Sequence, residues 1–268
     1  MSENNNNEKP VVMQAVLKVK TKTFLTPNYI RIILEGDDMA IFANARVGDN
    51  NKIIIPPNKE QEFTLADFTN RADGKRPLMR TYTMRDLDLE KGLMTIDFVA
   101  HGDTGPASKW ANNAKAGDQL VVFMKVKTKP LFIPSDWYLL IGDHTALPVI
   151  SVILESLPAD AQGKAIIEVF SEADILKLKK PENIDLIWNF NTKPGEKSEL
   201  ADSFETTDFP SGSKFIYAAA EYQTAEKIQQ KLRNDENLSR NQWQTYSYWK
   251  YGQAEDASSD VRREQSKK

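Results

Sequence analysis

Short alternations of apolar and polar residues dominate the first half of the chain. Met13, Ala15, Leu17 and Val19 share one face of a predicted strand at 11–19. Further predicted strands lie at 29–35, 53–55, 79–85, 93–99 and 120–124. Short strands with turn residues between them are typical of a small antiparallel β-barrel. The polar stretch 58–76 predicts a long loop.

The pattern changes near Pro134, where strands and helices begin to alternate. Strands are predicted at 137–142, 166–170, 184–190, 215–219 and 243–249, and helices follow the first and fourth of them. Repeated strand–helix units predict a parallel sheet covered on both faces. The expected organisation is a two-domain β plus α/β chain: a disordered tail (1–10), a barrel (11–133), an α/β domain (134–254) and a charged tail or helix (255–268).

The amino-acid composition excludes several classes of protein and several kinds of site. The 268 residues carry 35 basic and 38 acidic side chains, for a net charge of −3, which argues against a general nucleic-acid binder. Zero cysteines exclude disulfides, thiolate metal sites and a cysteine nucleophile, and two histidines exclude a His-rich metal site. The polar N-terminus and the lack of an apolar run near 18 residues predict neither a secretory signal nor a membrane span, so the cytoplasm is the expected location.

The segment "RTYTMR" (80–85) is a candidate binding strand. Alternation places Arg80, Tyr82 and Met84 on one face and Thr81 and Thr83 on the other. An exposed strand with an aromatic cross-strand pair explains this pattern. A ligand site also explains it, because the planar donor fork of arginine matches a phosphate and a tyrosine ring packs against a heterocycle.

A strand–turn–helix junction follows at 97–114, where Pro106 suits the first helical position. The free backbone N–H groups of a helix N-terminus suit a pyrophosphate, although a plain structural junction has the same pattern. His101 is either a ring-stacking contact or an ordinary turn residue.

Two later strand–helix junctions, at 137–150 and 214–228, lie where α/β domains bind ligands. In the first, Thr145 is the expected N-cap of the helix, and Asp143 and His144 are adjacent, so they are not expected to point at one atom. In the second, Ala218–Ala220 are small enough for a ligand to approach the backbone, or for tight packing. Neither junction carries GxGxxG.

In this order the segments resemble the siderophore-interacting protein family, the flavin-dependent ferric-siderophore reductases of the ferredoxin-reductase-like group. The matching segments are "PNYIRIILEG" (27–36), "RTYTMR" (80–85), "IDFVAHGDTGPASKWA" (96–111), "AGDQL" (116–120), "WYLLIGDHTALPVI" (137–150), "IYAAAEYQTAEKIQQKLR" (216–233) and "YSYWKYGQAED" (246–256). The resemblance covers about residues 11 to 256.

The resemblance implies an FAD site in the barrel and an NAD(P)H site in the α/β domain. It assigns the FAD phosphates to Arg80 and the ribityl–isoalloxazine part to Tyr82 and Thr83. It assigns the pyrophosphate and adenosine side to His101, Thr104, Pro106, Ala107 and Ser108, and the nicotinamide path to Asp143, Thr145 and Ala146. The family usually has an acidic residue in place of His144 and glycine in place of Ala220, whose methyl would crowd a pyridine nucleotide.

The implied function is reduction of Fe(III) in a siderophore to Fe(II), which releases iron because hard oxygen donors hold Fe(II) less tightly. The flavin carries the electrons, from NAD(P)H or ferredoxin, so neither a catalytic side chain nor a metal site is expected. Lys125, Lys127, Lys129 and Lys250 are candidates to attract an anionic chelate, or are a lysine fringe on an edge strand. A flavin or ferredoxin oxidoreductase and a non-catalytic iron-chelate binder are the alternatives.

Overall fold

The computed structural model describes residues 11–56, 63–69, 78–101 and 105–253. Its N-terminal part is a closed antiparallel barrel with strand order β1-β2-β5-β4-β3-β6. The strands are β1 (Val12–Thr26), β2 (Tyr29–Glu35), β3 (Asn50–Ile54), β4 (Met79–Asp88), β5 (Leu93–Val99) and β6 (Gln119–Lys125). The predicted barrel is therefore confirmed, with β1 seven residues longer at its end than the alternation indicated.

The apolar face of each strand forms the barrel core. Met94, Ile96 and Phe98 of β5 are fully buried, as alternation predicts. Thr95 and Asp97, on the opposite face of β5, are buried as well, and this face meets the 3-10 turn that follows the first strand of the second domain. Both faces of β5 are thus covered. The alternation of apolar and polar residues in β5 predicts burial of one face only.

Two helices belong to the barrel region. Helix α1 (Leu65–Thr69) lies within the stretch predicted to be a loop, whose other residues 58–62 and 70–76 fall outside the described chain. Helix α2 (Pro106–Asn113) begins at the predicted proline, and its Trp110 ring lies 5.7 Å from the ring of Phe98. Helix α2 therefore packs on the barrel core.

The second part is a five-stranded parallel sheet with order β11-β10-β7-β8-β9, as the alternation of strands and helices predicted. Buried clusters cover both of its faces. The strands are β7 (Trp137–Asp143), β8 (Gln162–Val169), β9 (Ile184–Phe190), β10 (Lys214–Glu221) and β11 (Trp243–Trp249), and the helices are α3 (Leu147–Ser156), α4 (Leu200–Glu205) and α5 (Tyr222–Asn234). The short helix α4 was not predicted.

Polar contacts join the barrel to the sheet domain. Asp174, fully buried after β8, accepts hydrogen bonds from Thr26 and Asn28 in the β1–β2 turn. Arg85 of β4 forms a two-pronged ion pair with Glu155 of α3, at 3.0 and 2.5 Å. The boundary at 133/134 stays a prediction, as do the tails at 1–10 and 255–268, which fall outside the described chain. Within the described ranges, no helix is long and apolar enough to span a membrane.

Candidate functional site

The ladder between β4 and β5 of the closed barrel does not extend over the first half of the segment "RTYTMR". Strand β4 pairs with β3 from Met79 to Thr83, but its described pairing with β5 begins only at Met84, opposite Ile96. A register shift follows between Met84 and Asp86. Arg80, Tyr82 and Thr83 therefore lie on the half of β4 that pairs with β3 and precedes the ladder with β5.

The predicted alternation of β4 is present. The Tyr82 ring packs on the barrel core, with its centroid 4.4 Å from that of Phe98. Arg80 is half-buried, and its Nη1 donates to the Met79 carbonyl at 2.7 Å. Thr83, the next residue along β4, lies on the opposite face of the strand. Thr83 is 4% exposed, so the outward face of β4 is covered by the second domain at this point.

An unpaired amide lies beside Tyr82. Asn51 of β3 is the cross-strand partner of Tyr82 and is 1% exposed. Its Nδ2 and Oδ1 atoms are both buried without a hydrogen-bond partner. Buried polar groups are nearly always paired in native proteins. A ligand with hydrogen-bonding groups at this position would supply the missing partners.

The N-terminus of α2 has no side-chain cap, since Gly105 occupies the N-cap position and Pro106 the first turn. The Ser108 hydroxyl, buried in that turn, accepts from the backbone N–H of His101 at 3.1 Å. The His101 imidazole packs against Gly105, where an added Cβ would lie 2.6 Å from its ring. Ala107 is buried beside it. Thr104, also assigned to this turn, lies outside the described residues.

These residues fit FAD. The orphaned amide of Asn51, the Tyr82 ring and the Arg80 guanidinium together offer polar, aromatic and cationic contacts along β3 and β4. The uncapped amides of α2 suit a diphosphate. Such a mixture suits a long, anionic heterocyclic cofactor.

At the carboxyl edge of the sheet, the buried carboxylate of Asp143 accepts four hydrogen bonds. Oδ1 accepts from the Thr145 N–H (2.9 Å) and hydroxyl (2.6 Å), and Oδ2 from the Glu221 N–H and the Trp249 Nε1, both at 2.8 Å. Burial raises the pKa of Asp143, and the bonds from Thr145 and Trp249 oppose the rise. Asp143 therefore ties β7, β10 and β11 together.

The prediction that Thr145 caps the following helix is wrong. Asp143 caps the 3-10 turn His144–Ala146, and α3 then begins after Ala146. The Thr145 hydroxyl donates to Asp143, and among the described residues no side-chain hydrogen bond caps α3. Ala146 is fully buried under this turn, and Ala220 is buried at the end of β10.

His144 and Asp143 point in different directions, as expected. The His144 ring stacks on Tyr29 of the barrel, with centroids 5.2 Å apart and planes 11° from parallel. His144 is 7% exposed and neither ring nitrogen has a partner. Burial lowers its pKa to about 4, and the charge of Asp174 opposes the drop. His144 is thus a neutral ring between the two domains.

Lys125, Lys127 and Lys129 do not lie on one strand, so the alternative of a lysine fringe on an edge strand is wrong. Strand β6 ends at Lys125 because its partner β1 begins opposite, at Val12. Lys127 and Lys129 are exposed in the connection that follows. Lys250 is half-buried, with its Nζ 4.7 Å from the centre of the Tyr222 ring. The described residues contain no group of three metal-ligating side chains.

Sequence reasoning missed Asn51, Tyr217 and Tyr248. A signal for Asn51 existed, since it shares the face of Ile53 and so is a polar residue at an inward position. Tyr246 and Tyr248 alternate in the last predicted strand, which indicated a tyrosine face but not its neighbours. Their contacts with Tyr217 of β10 join residues that are far apart in the chain.

Two family models match the chain, one for each part. The Siderophore-interacting FAD-binding domain matches residues 18–124, and the Siderophore-interacting protein model matches 135–252. The chain belongs to the siderophore-interacting protein family. Its barrel is the FAD-binding domain of that family, so the predicted family and cofactor are confirmed.

Siderophore-interacting proteins of known structure share both domains. SipS from Aeromonas hydrophila is 29% identical, with a TM-score of 0.82 over 97% of this chain and 100% of that one. A siderophore utilization protein from T. fusca is 28% identical, with a TM-score of 0.80 over 91% and 95% of the chains. The ferric vibriobactin reductase ViuB of Vibrio cholerae is 29% identical over 264 residues, 96% of each chain.

More distant structures share the fold alone. The ferredoxin reductase of carbazole 1,9a-dioxygenase is 15% identical, with a TM-score of 0.62 over 90% of this chain and 71% of that one. The predicted ferredoxin-reductase-like architecture, a barrel followed by a parallel-sheet domain, is thereby confirmed.

Proposed function

We propose that this protein is an FAD-dependent ferric-siderophore reductase that takes electrons from NAD(P)H. The observation that carries the proposal is the orphaned, buried amide of Asn51, which lies across from Tyr82 on the half of β4 that also carries Arg80 and Thr83. The similarity to a ferric vibriobactin reductase over both domains supports the substrate class.

In the proposed site the side chains bind and orient. Arg80 pairs with phosphate oxygens, the Tyr82 ring covers the heterocycle, and Thr83 and Asn51 hydrogen-bond to its polar groups. The first turn of α2, which begins at Pro106, is proposed to present the backbone N–H groups of Ala107 and Ser108 to the diphosphate. His101, which packs against Gly105, and Thr104 are proposed to contribute to the same part of the site. When bound, FAD accepts an electron pair as a hydride and passes electrons on singly, which no side chain can do.

The overall reaction balances as one NAD(P)H and two ferric chelates giving NAD(P)⁺, one proton and two Fe(II). Reduction releases the metal because hard oxygen donors bind Fe(II) less tightly than Fe(III). The α/β domain is proposed to receive NAD(P)H at its carboxyl edge, near Asp143, Thr145 and Ala146. Lys125, Lys127, Lys129 and Lys250 are proposed to attract the anionic chelate. Ferredoxin remains an alternative electron donor.

The test is a donor-dependent assay with trapped Fe(II). Protein loaded with FAD is mixed with a ferric catecholate siderophore, and a coloured ligand specific for Fe(II) reports the product. NADH, NADPH and reduced ferredoxin are compared as donors, and free flavin as a competing acceptor. Colour that requires both the donor and the protein supports the proposal. Faster reduction of free flavin would favour a flavin reductase, and chelate binding without Fe(II) would favour a carrier.

A further inference from the structure

A turn at the end of the described chain crosses the carboxyl edge of the parallel sheet. Residues Lys250–Gln253, which we call the closing turn, follow β11 directly, and a backbone hydrogen bond of 3.1 Å joins the last residue to the first. The backbone N–H of Tyr251 donates to the buried carboxylate of Glu221 at 3.1 Å. The closing turn is therefore tied to the end of β10, where Glu221 lies.

The Tyr251 side chain reaches the far side of the same edge. Its ring lies on Gly195, in the loop between β9 and α4. A Cβ added at Gly195 would lie 2.7 Å from Cγ of that ring, and Gly195 has a φ of 87°, so any larger residue would be strained and would displace the ring. The Tyr251 hydroxyl also donates a long hydrogen bond of 3.5 Å to Glu196. The loop after β9 thus provides a seat for the Tyr251 ring.

The strand order shows what the closing turn covers. Strands β7 and β8 lie between β10 and β9, so a residue that joins the end of β10 to the loop after β9 passes over the carboxyl ends of both middle strands. The chain order also reverses here, because β8 and β9 lie on one side of β7, and β10 and β11 lie on the other. Nucleotides bind to α/β sheets at such a switch point, outside the carboxyl ends of the strands.

Contacts on either side hold the closing turn in place. Trp249, the residue before it, donates from Nε1 to Asp143 at the end of β7. The Lys250 Nζ lies 4.7 Å from the centre of the Tyr222 ring at the start of α5. Tyr251 itself is 53% exposed, so its ring covers the edge but does not belong to the core. Such a surface contact can open without unfolding the sheet domain.

We propose that Tyr251 is a specificity-determining residue for the electron donor, because its ring, seated on Gly195, occupies the part of the carboxyl edge that a pyridine dinucleotide must use. The nucleotide binds only when the ring has left Gly195, so its apparent Kd is the intrinsic Kd divided by the fraction of open molecules. The inference rests on the proposed function, since it takes this edge as the NAD(P)H site. A protein donor does not enter the edge and is not affected by the ring.

Calorimetric titration of FAD-loaded protein with NADP⁺ and NAD⁺ tests the inference without turnover. Tyr251→Ala removes the ring and is expected to lower the Kd of the nucleotide about 3- to 30-fold. Tyr251→Phe is the matched control. It keeps the ring on Gly195 and loses only the long hydroxyl contact with Glu196, so its Kd should equal that of the wild type.

A second variant changes the same contact from the other side. Gly195→Ala places a methyl group against the ring and should lower the Kd as Tyr251→Ala does, whereas combining the two should give no further gain. Equal Kd values for the wild type and Tyr251→Ala would overturn the inference and leave the proposed function standing. If none of these proteins bound either nucleotide, the NAD(P)H part of the proposed function would fail, and this inference with it.

Discussion

The carboxylate of Asp174 accepts a hydrogen bond of 2.8 Å from the hydroxyl of Thr26, 148 residues earlier in the chain. The same carboxylate accepts from the Asn28 backbone and side chain, each at 3.0 Å. Asp174 is fully buried. One acidic side chain of the sheet domain thus satisfies the polar groups of the β1–β2 turn and holds the two domains together.

Replacing Asp174 with alanine should lower the free energy of unfolding by about 2–4 kcal/mol, because Thr26 and Asn28 would lose their acceptor. Urea denaturation of the apoprotein measures the change. Asp185→Ala is the matched control, since Asp185 is exposed on β9 and its loss should cost no more than about 0.5 kcal/mol. Equal losses in the two variants would contradict the role of Asp174.

His144 should make the protein less stable as the pH falls from 6.5 toward 4. Its folded pKa of about 4 lies below the ordinary value of 6.5, so the unfolded chain takes up a proton first and unfolding is favoured in that window. The loss of unfolding free energy over the whole of this pH window is about 3 kcal/mol.

His144→Phe, which keeps a ring against Tyr29, should flatten the pH dependence of the unfolding free energy between pH 6.5 and 4. An unchanged slope in this variant would refute the assignment to His144.

Asp143→Asn should destabilise the sheet domain more than Trp249→Phe does. The amide would place an N–H₂ group against donors that now point at a carboxylate, at a cost of about 3 kcal/mol, whereas the Trp249 variant loses one hydrogen bond worth about 1 kcal/mol. Thermal unfolding followed by circular dichroism ranks the two variants. The reverse order would show that Trp249, and not Asp143, is the centre of the network.

Arg80→Ala should weaken FAD binding about 10- to 100-fold, the size of a lost charge-assisted contact with phosphate. Flavin fluorescence titration measures the affinity. Arg85→Ala is the control from the same segment. Arg85 is paired with Glu155, so its loss should change stability and leave FAD affinity as it is. Full FAD retention by Arg80→Ala would show that Arg80 does not bind FAD and that the segment 80–85 is an ordinary structural strand.

Replacing Lys125, Lys127 and Lys129 with glutamine should raise the KM for an anionic ferric chelate and reduce its dependence on salt. A triple variant at Lys177, Lys179 and Lys180 removes the same charge from the connection between β8 and β9 and is the control. Steady-state rates at two ionic strengths compare them. If both variants behave alike, net charge alone matters and the three lysines form no specific site.

Rules that act over short distances along the chain predicted much of the fold. Alternation located the faces of β4 and β5, and Pro106 located the start of α2. The opposite orientations of Tyr82 and Thr83 also followed from alternation alone. Arg80, Tyr82 and the α2 turn became a candidate site by the same local reasoning, reinforced by the family resemblance.

Contacts between distant segments could not be predicted in this way. The end of β6 at Lys125 depends on where β1 begins. The cap depends on whether Asp143 or Thr145 accepts a backbone N–H, and local sequence does not decide between them. The hydrogen-bond partner of Thr26 lies in the other domain. The role of Asn51 could not be predicted without the structure. Its inward position indicates a binding site only once its side-chain amide is known to lack hydrogen-bond partners.

The anchoring of the β1–β2 turn by Asp174 has a consequence for biosynthesis. The last barrel strand ends at Lys125, and Asp174 follows about 50 residues later. Domains tend to fold in order as the chain emerges from the ribosome. In a newly made barrel, Thr26, Asn28 and Tyr29 therefore remain exposed until the second domain has been synthesised. Aggregation of the nascent chain is most favoured during this interval.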